Sequence, residues 1–185
     1  MSTPIHIPAI LLSIPRSPLT AIGLPLAFGL LSGSTTAKAV KGQWYQNLLV
    51  PPGRPPRQVF PIVWPLLYIS MGYVSHLAVK ALDVAVSPTS RSDLSISVLL
   101  YYAQLGLNVL WSPLFFMAKE PGWALIDSVL LTGLTFYMTS LLDGPTGSKT
   151  TPFLLPYCAW LTFATYLNAG IWFLNRRRPN VRKED

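Results

Sequence analysis

The sequence predicts an all-α membrane protein built as a bundle of five transmembrane helices. The first observation is a series of five stretches with almost no charged side chains, each longer than the roughly 20 residues that a helix needs to cross a hydrocarbon core. The stretches cover residues 17–37, 58–79, 94–118, 121–142 and 152–175. The second observation is composition, because 51% of the 185 residues are hydrophobic and only 11% are charged, against about 25% charged in soluble domains.

Helices are the expected element because, in hydrocarbon, a helix satisfies every backbone amide within its own segment. A β-barrel would instead show alternating strands of about 10 residues. The five spans nearly use up the chain, which predicts one domain over residues 17–175 without a soluble catalytic module. The flanking parts are a short lead-in (1–16), a lid-like loop (38–57) and a basic tail (176–185).

The first 18 residues contain four prolines and one basic residue, Arg16. This composition resembles neither a secretory signal nor an arginine-rich transit peptide. We therefore expect a short disordered lead-in before the first span.

The connection after the first span reads KAVKGQWYQNLLVPPGRPPR, from Lys38 to Arg57. Its four prolines prevent a continuous helix and favour extended or turn geometry. A rigid cap over one end of the bundle is one interpretation. Trp44 and Tyr45 argue against disorder, since such aromatics either dock on the bundle or anchor in the headgroup layer. The sequence leaves these two alternatives open.

The remaining connections are short and predict antiparallel neighbours. Five spans then place four of the 14 basic residues on one side of the membrane and the others on the opposite side. The smaller group is Arg16, Lys80, Arg91 and Lys149. Because a Lys/Arg excess marks the cytoplasmic side, we expect the first connection and the C-terminus in the cytosol.

The net charge of +7 does not indicate a nucleic-acid partner. Much of it is the cluster 176–178 with Arg182 and Lys183, directly after a span, where topology and contact with anionic membrane lipids explain it better. The single cysteine, Cys158, lies within the last span, so no internal disulfide is possible.

Two spans carry a polar and aromatic face at helical spacing. One face holds Trp160, Ala164, Asn168 and Trp172, and the other holds Gln104, Asn108, Trp111 and Phe115. The amides either bond neighbouring helices together or line a ligand site. Trp123 and Trp172, near span ends, also suit a role as headgroup-layer aromatics.

Asp127 is the one acidic residue within a span, which makes it a functional candidate. The alternative is a carboxylate in the first turns of the helix, which the helix dipole favours and water reaches. His76 is interpreted as an interfacial residue, and the histidines and cysteine have no metal-site spacing. No nucleophile elbow, phosphate loop or carboxylate pair is present, so a hydrophobic ligand held by aromatic side chains is the chemistry these residues support.

Four segments follow one another in an order that resembles a known family. They read WYQNLLVPPGRPPRQVFPIVWPLLYISMGY (44–73), QLGLNVLWSPLFF (104–116), PGWALID (121–127) and LLPYCAWLTFATYLNAGIW (154–172). Together they resemble the tryptophan-rich sensory protein and translocator protein (TspO/MBR) family, over residues 20–175.

The resemblance implies a five-helix bundle, often a homodimer, with a pocket under the first connection for porphyrins and other tetrapyrroles, sterols and benzodiazepine-type drugs. It implies that Trp64 and Trp160 lie on either side of the ligand. Other matching pocket positions are Phe60, Val63, Asn108, Trp111, Trp123, Asp127, Ala164 and Leu167. No metal and no cofactor are expected.

This chain also departs from the family pattern. The lysine usual in the first connection is absent from Leu48–Pro51, and Gly53 replaces an aromatic residue. The sterol-associated motif of animal members lacks its tyrosine, since Ala169 stands there. Cholesterol recognition through that motif is therefore not supported.

The hypothesis that follows is a membrane receptor or carrier for a porphyrin-like ligand. One alternative is an enzyme that degrades porphyrin with light and oxygen, in which Trp64 and Trp160 take part. Another is a membrane scaffold that binds partners through Gly23, Gly29 and Gly33. For a eukaryotic chain, the expected location is the mitochondrial outer membrane or another intracellular membrane.

Overall fold

The computed structural model describes residues 7–177, and every regular element among them is helical. Seven α-helices follow one another in this part of the chain. They are α1 (Ala9–Arg16), α2 (Pro18–Ala39), α3 (Gln43–Gln46), α4 (Phe60–Val84), α5 (Pro88–Ser112), α6 (Pro121–Asp143) and α7 (Thr151–Asn175). A 3-10 turn, Arg57–Val59, precedes α4, and a π-helical turn, Pro113–Met117, extends α5.

Four of these segments are long and apolar enough to cross a membrane. They are Pro18–Ala39, Arg57–Val84, Pro88–Met117 and Pro121–Asp143. The prediction of an all-helical protein with several apolar spans is confirmed. A fifth crossing, by α7, stays a prediction, although α7 has the same 25-residue length as α4 and α5.

Prolines mark the starts of the long helices. Pro18, Pro88 and Pro121 are first helical residues, while Pro61 and Pro152 are second. The first turn has no intrahelical acceptor for its amides, so proline is tolerated there.

The predicted disorder of the lead-in is wrong for residues 9–16, which form α1. This short helix packs against α2 and α4, and Leu11 and Leu12 contact the bundle core. The His76 ring nitrogen Nδ1 lies 2.8 Å from the Pro15 carbonyl oxygen, and Arg16 forms an ion pair of 2.9 Å with Asp83. The prolines misled the prediction because Pro8 and Pro15 lie at the two ends of an otherwise apolar run. Residues 1–6 lie outside the described part.

The long helices form a bundle in which α4 contacts α2, α5 and α7, and α6 contacts α5 and α7. The helices α2 and α4 approach closely because Gly72 has no side chain. A Cβ atom there would lie 2.5 Å from the Ala21 carbonyl oxygen. Gly29 is likewise covered by the Tyr68 ring, whereas Gly23 and Gly33 face open space.

Candidate ligand site between α4 and α7

Two tryptophans meet across the contact between α4 and α7. The ring centroids of Trp64 and Trp160 are 6.5 Å apart, and their planes are at 87°. Phe60, one turn earlier on α4, contacts Trp160 edge-on at 5.8 Å. Such pairs contribute about 0.5–1.5 kcal/mol beyond the burial of their surface. The three rings thus form an aromatic wall that both helices supply.

The Trp160 indole carries a buried hydrogen-bond donor. Its Nε1–H has no acceptor among residues 7–177. A buried donor left without a partner costs about 1–3 kcal/mol.

A cavity of about 480 Å³ adjoins Trp160. It is lined by Val63, Leu66, Leu67 and Ser70 of α4 and by Pro156, Ala159, Trp160 and Phe163 of α7. Its volume falls within the range of about 300–1,000 Å³ typical of small-molecule sites. Leu66 is 59% exposed, so the cavity opens sideways, toward the lipid in a membrane.

Behind the tryptophan pair, a chain of buried hydrogen bonds links three helices. The Tyr68 hydroxyl donates to Asn108 Oδ1 at 2.6 Å, and Asn108 Nδ2 donates to the Tyr157 hydroxyl at 3.0 Å. Tyr157 in turn donates to Gln104 Oε1 at 2.7 Å. The Asn108 amide therefore bonds helices together, which was one of the two alternatives for it.

The link from this chain to the aromatic wall runs through Tyr68, whose ring lies 5.8 Å from that of Trp64. Tyr68 and Tyr157 were missed by the sequence analysis. Each is spaced by three or four residues from a tryptophan of the pair, so helical periodicity places it on the same face.

A second aromatic cluster lies at the end of the bundle near the first connection. Trp111 stacks on Phe115 with a centroid distance of 4.9 Å, and Trp44 contacts Phe115 at 5.9 Å. Trp111 Nε1 donates to Asn168 Oδ1 at 2.9 Å, and Asn168 Nδ2 donates to the Pro121 carbonyl at 2.8 Å. Both polar groups of Asn168 are thus engaged in holding helices together.

The first connection is fixed over this end of the bundle. Trp44 and Leu48 are buried, which decides the alternatives for Trp44 in favour of docking. Asn175 bonds both backbone groups of Leu49, donating to its carbonyl at 2.9 Å and accepting from its amide at 3.0 Å. Pro51 lies on α7 at Gly170, where a Cβ would be 2.6 Å from its ring.

The connection also reaches toward the tryptophan pair. The Tyr166 hydroxyl donates to the Pro52 carbonyl at 3.0 Å. Tyr166 stacks with Phe163 at 6.2 Å, and Phe163 contacts Trp160 at 5.9 Å. The loop is therefore linked to the cavity wall by a hydrogen bond to Tyr166 and by the ring contacts of Tyr166 and Phe163 along α7.

Of the ten predicted site residues, the structure brings four together at the cavity and its aromatic wall. These are Phe60, Val63, Trp64 and Trp160. Asn108 joins them through Tyr68, whereas Trp111 belongs to the second cluster. Trp123 lies elsewhere, because it is 63% exposed on the outer surface.

The other three predicted residues lie on α6 and α7. Asp127 is buried, and neither carboxylate oxygen has a hydrogen-bond partner among residues 7–177. Leu167 is buried and Ala164 half-buried. Asp127 is therefore not the water-reached carboxylate of the alternative interpretation. No group of three or more potential metal-ligating side chains occurs in the described part of the chain.

Comparison with known proteins decides the family. A sequence model described as the TspO/MBR family matches residues 21–173. This chain belongs to the TspO/MBR family. The translocator protein homolog of Schizosaccharomyces pombe is 42% identical to this TspO/MBR protein over 133 residues, 71% of this chain and 77% of the relative.

Relatives of this TspO/MBR protein also occur in mammals and bacteria. The translocator protein of Homo sapiens is 37% identical over 164 residues, 82% of this chain and 88% of the relative. Tryptophan-rich protein TspO of Chlorobaculum tepidum is 36% identical over 155 residues, 83% of this chain and 92% of the relative. With its apolar helices, the family identifies an integral multi-pass membrane protein.

Proposed function

We propose that this TspO/MBR protein is a membrane receptor or carrier that binds a porphyrin-type tetrapyrrole between α4 and α7. The observation that carries the proposal is the aromatic wall of Phe60, Trp64 and Trp160 beside a laterally open cavity. A flat, apolar macrocycle gains from contact with such rings. Sterols and benzodiazepine-type drugs are further ligands for the same apolar space.

The Trp160 Nε1–H is buried without an acceptor in the described part of the chain. A porphyrin that displaces the side chains covering this donor would supply an acceptor through its carboxylates or ring nitrogens. Lateral opening supports entry from the bilayer, because a hydrophobic ligand is concentrated there rather than in water. The loop over α7 acts as the lid of the site in this proposal.

The proposal includes five membrane spans and a cytosolic C-terminus. For α7, its support is an uncharged run that ends at Arg176 and is preceded by Lys149. The run between these two residues is long enough for a helix to cross a hydrocarbon core of about 30 Å. Packing of α7 against both α4 and α6 is also what a membrane bundle requires. A homodimer is proposed on the family resemblance.

A second candidate function is porphyrin breakdown driven by light and oxygen. The direct contact of two indole rings, Trp64 and Trp160, favours it, because both are oxidisable and would border the macrocycle. Product formation should then require illumination and oxygen together. Product formed in the dark under anaerobic conditions would contradict this chemistry.

The test of the primary proposal is a titration of purified protein in detergent with protoporphyrin IX in the dark. Binding is followed by the Soret band of the porphyrin, so that removing tryptophans does not alter the probe. The Trp64→Ala/Trp160→Ala variant should bind at least about tenfold more weakly, which corresponds to about 1.4 kcal/mol.

The matched control is Phe136→Ala, which removes a 49% exposed ring from α6. Its affinity should equal that of the wild type. Circular dichroism checks that each variant retains its helices. Equal saturable affinity in the folded double variant and the wild type would exclude this site.

A further inference from the structure

A groove on the outer surface lies where α6 begins and α7 ends. It has a volume of about 580 Å³ and shares no lining residue with the cavity between α4 and α7. Its walls are formed mainly by Trp44, Trp123, Ile126 and Trp172, and its rim by Lys119 and Arg176. The ligand site described above makes no use of this groove.

The walls of the groove are aromatic and apolar, but they face outward. Trp123 is 63% exposed, Ile126 51% and Trp172 37%. Trp172 fits over the start of α6 because residue 122 is glycine. A Cβ at Gly122 would lie 3.0 Å from Trp172 Nε1. This surface is suited to lipid contact.

The rim of the groove carries charged residues that flank two apolar helices. Lys119 and Glu120 immediately precede the apolar helix α6, and Arg176 and Arg177 immediately follow α7. Charged residues at the ends of membrane-spanning helices are expected at the depth of the phospholipid phosphates. With one carboxylate among four charged side chains, the rim is net positive.

Arg176 is the best-placed cation. Its guanidinium carbon lies 5.1 Å from the Trp172 ring centroid and 4.4 Å from that of Phe173. A guanidinium stacked on rings retains its N–H groups for a planar, two-pronged contact with phosphate.

We propose that this groove binds an anionic phospholipid. Arg176 holds the phosphate, Lys119 adds positive charge at the rim, and the upper acyl segments lie against Trp123 and Ile126. An anionic headgroup is favoured over phosphatidylcholine because choline carries a cation of its own toward the basic rim. The proposal requires these helix ends to lie at the headgroup layer, but it does not depend on porphyrin binding.

The test is native mass spectrometry of the full-length protein in detergent, titrated with phosphatidylglycerol or phosphatidylcholine of identical chains. The wild type should bind phosphatidylglycerol about tenfold more tightly. Arg176→Gln should lower the affinity for phosphatidylglycerol about tenfold, which is the effect expected from the loss of a hydrogen bond to a charged group. Trp123→Ala should weaken the binding of both lipids, since it removes an exposed apolar side chain from the wall of the groove.

The matched control is Lys80→Gln. This substitution removes the same charge from an exposed residue near the C-terminal end of α4, which does not line the groove. It should bind like the wild type. Equal binding of the two lipids, or equal behaviour of Arg176→Gln and Lys80→Gln, would overturn the proposal. So would glycerol 3-phosphate competing as well as the intact lipid, because the site would then be one for free phosphate.

The same variants separate this inference from the proposed function. Arg176→Gln should bind protoporphyrin IX with unchanged affinity, because Arg176 does not line the cavity between α4 and α7. The Trp64→Ala/Trp160→Ala variant should lose porphyrin binding and keep its preference for phosphatidylglycerol, since the two sites share no lining residue. An Arg176→Gln variant that loses porphyrin binding and keeps this preference would show that the groove is not the lipid site.

Discussion

At the scale of single residues, the interior of the bundle is organised by polar side chains that satisfy one another. Tyr157 is fully buried and both accepts from Asn108 and donates to Gln104. Water is absent from hydrocarbon, so these groups have no alternative partner if one is removed. These hydrogen bonds therefore fix the relative positions of α5 and α7 behind the tryptophan pair.

Replacing Tyr157 by phenylalanine should destabilise the fold by about 1–2 kcal/mol. The substitution keeps the ring but leaves the Gln104 oxygen without its donor and the Asn108 amide without its acceptor. Unfolding by titration with a denaturing detergent measures the change. Tyr137→Phe is the control, since Tyr137 is 51% exposed. Equal stability of the two variants would mean that the hydrogen bonds of Tyr157 do not stabilise the fold.

Helical spacing identified many of these residues but not the direction they face. The spacing of Gln104, Asn108, Trp111 and Phe115 predicted a shared polar and aromatic face, and three of the four are buried. Trp123 and Trp172 lie at outer helix ends, as suits headgroup-layer aromatics. Periodicity gives relative positions on one helix, whereas the absolute orientation depends on which neighbours pack against it.

At the scale of elements, the first connection is held by side chains of α7. The Asn175 amide bonds both backbone groups of Leu49, and Tyr166 bonds the Pro52 carbonyl. A proline-rich segment cannot satisfy its backbone as a helix does. These contacts therefore replace regular structure in fixing the loop.

Asn175→Ala should loosen the loop. Loss of two hydrogen bonds, each contributing about 0.5–1.5 kcal/mol, should raise amide exchange at Leu48 to Val50 by about tenfold or more. Hydrogen exchange with mass spectrometry measures this change. Gln43→Ala, an exposed substitution on α3, should leave exchange unchanged. Exchange rates that match the wild type would mean that the loop is held by packing alone.

The loop illustrates what local sequence cannot specify. Four prolines excluded a long helix correctly, and Trp44 and Tyr45 excluded disorder. The docking partners, however, are Gly170 and Asn175, more than a hundred residues away, and no local pattern connects them. The same limitation explains α1, whose helix forms on a surface that α2 and α4 create.

At the scale of the whole molecule, composition and charge were sufficient for the class of protein. Long uncharged runs predicted the apolar helices, and short connections predicted the contacts of α5 with α6 and of α6 with α7. The surface of the molecule has two separate candidate binding sites. A lateral cavity lies between α4 and α7, and a separate groove with a basic rim lies where α6 begins.

If the ligand binds at the cavity between α4 and α7, a diazirine-bearing porphyrin should label the residues that line this cavity on irradiation. Peptide mapping should find the label in residues 59–70 and 156–163, and excess protoporphyrin IX should prevent it. Label confined to residues 119–126 and 172–176, or label that protoporphyrin IX does not displace, would contradict binding at this cavity.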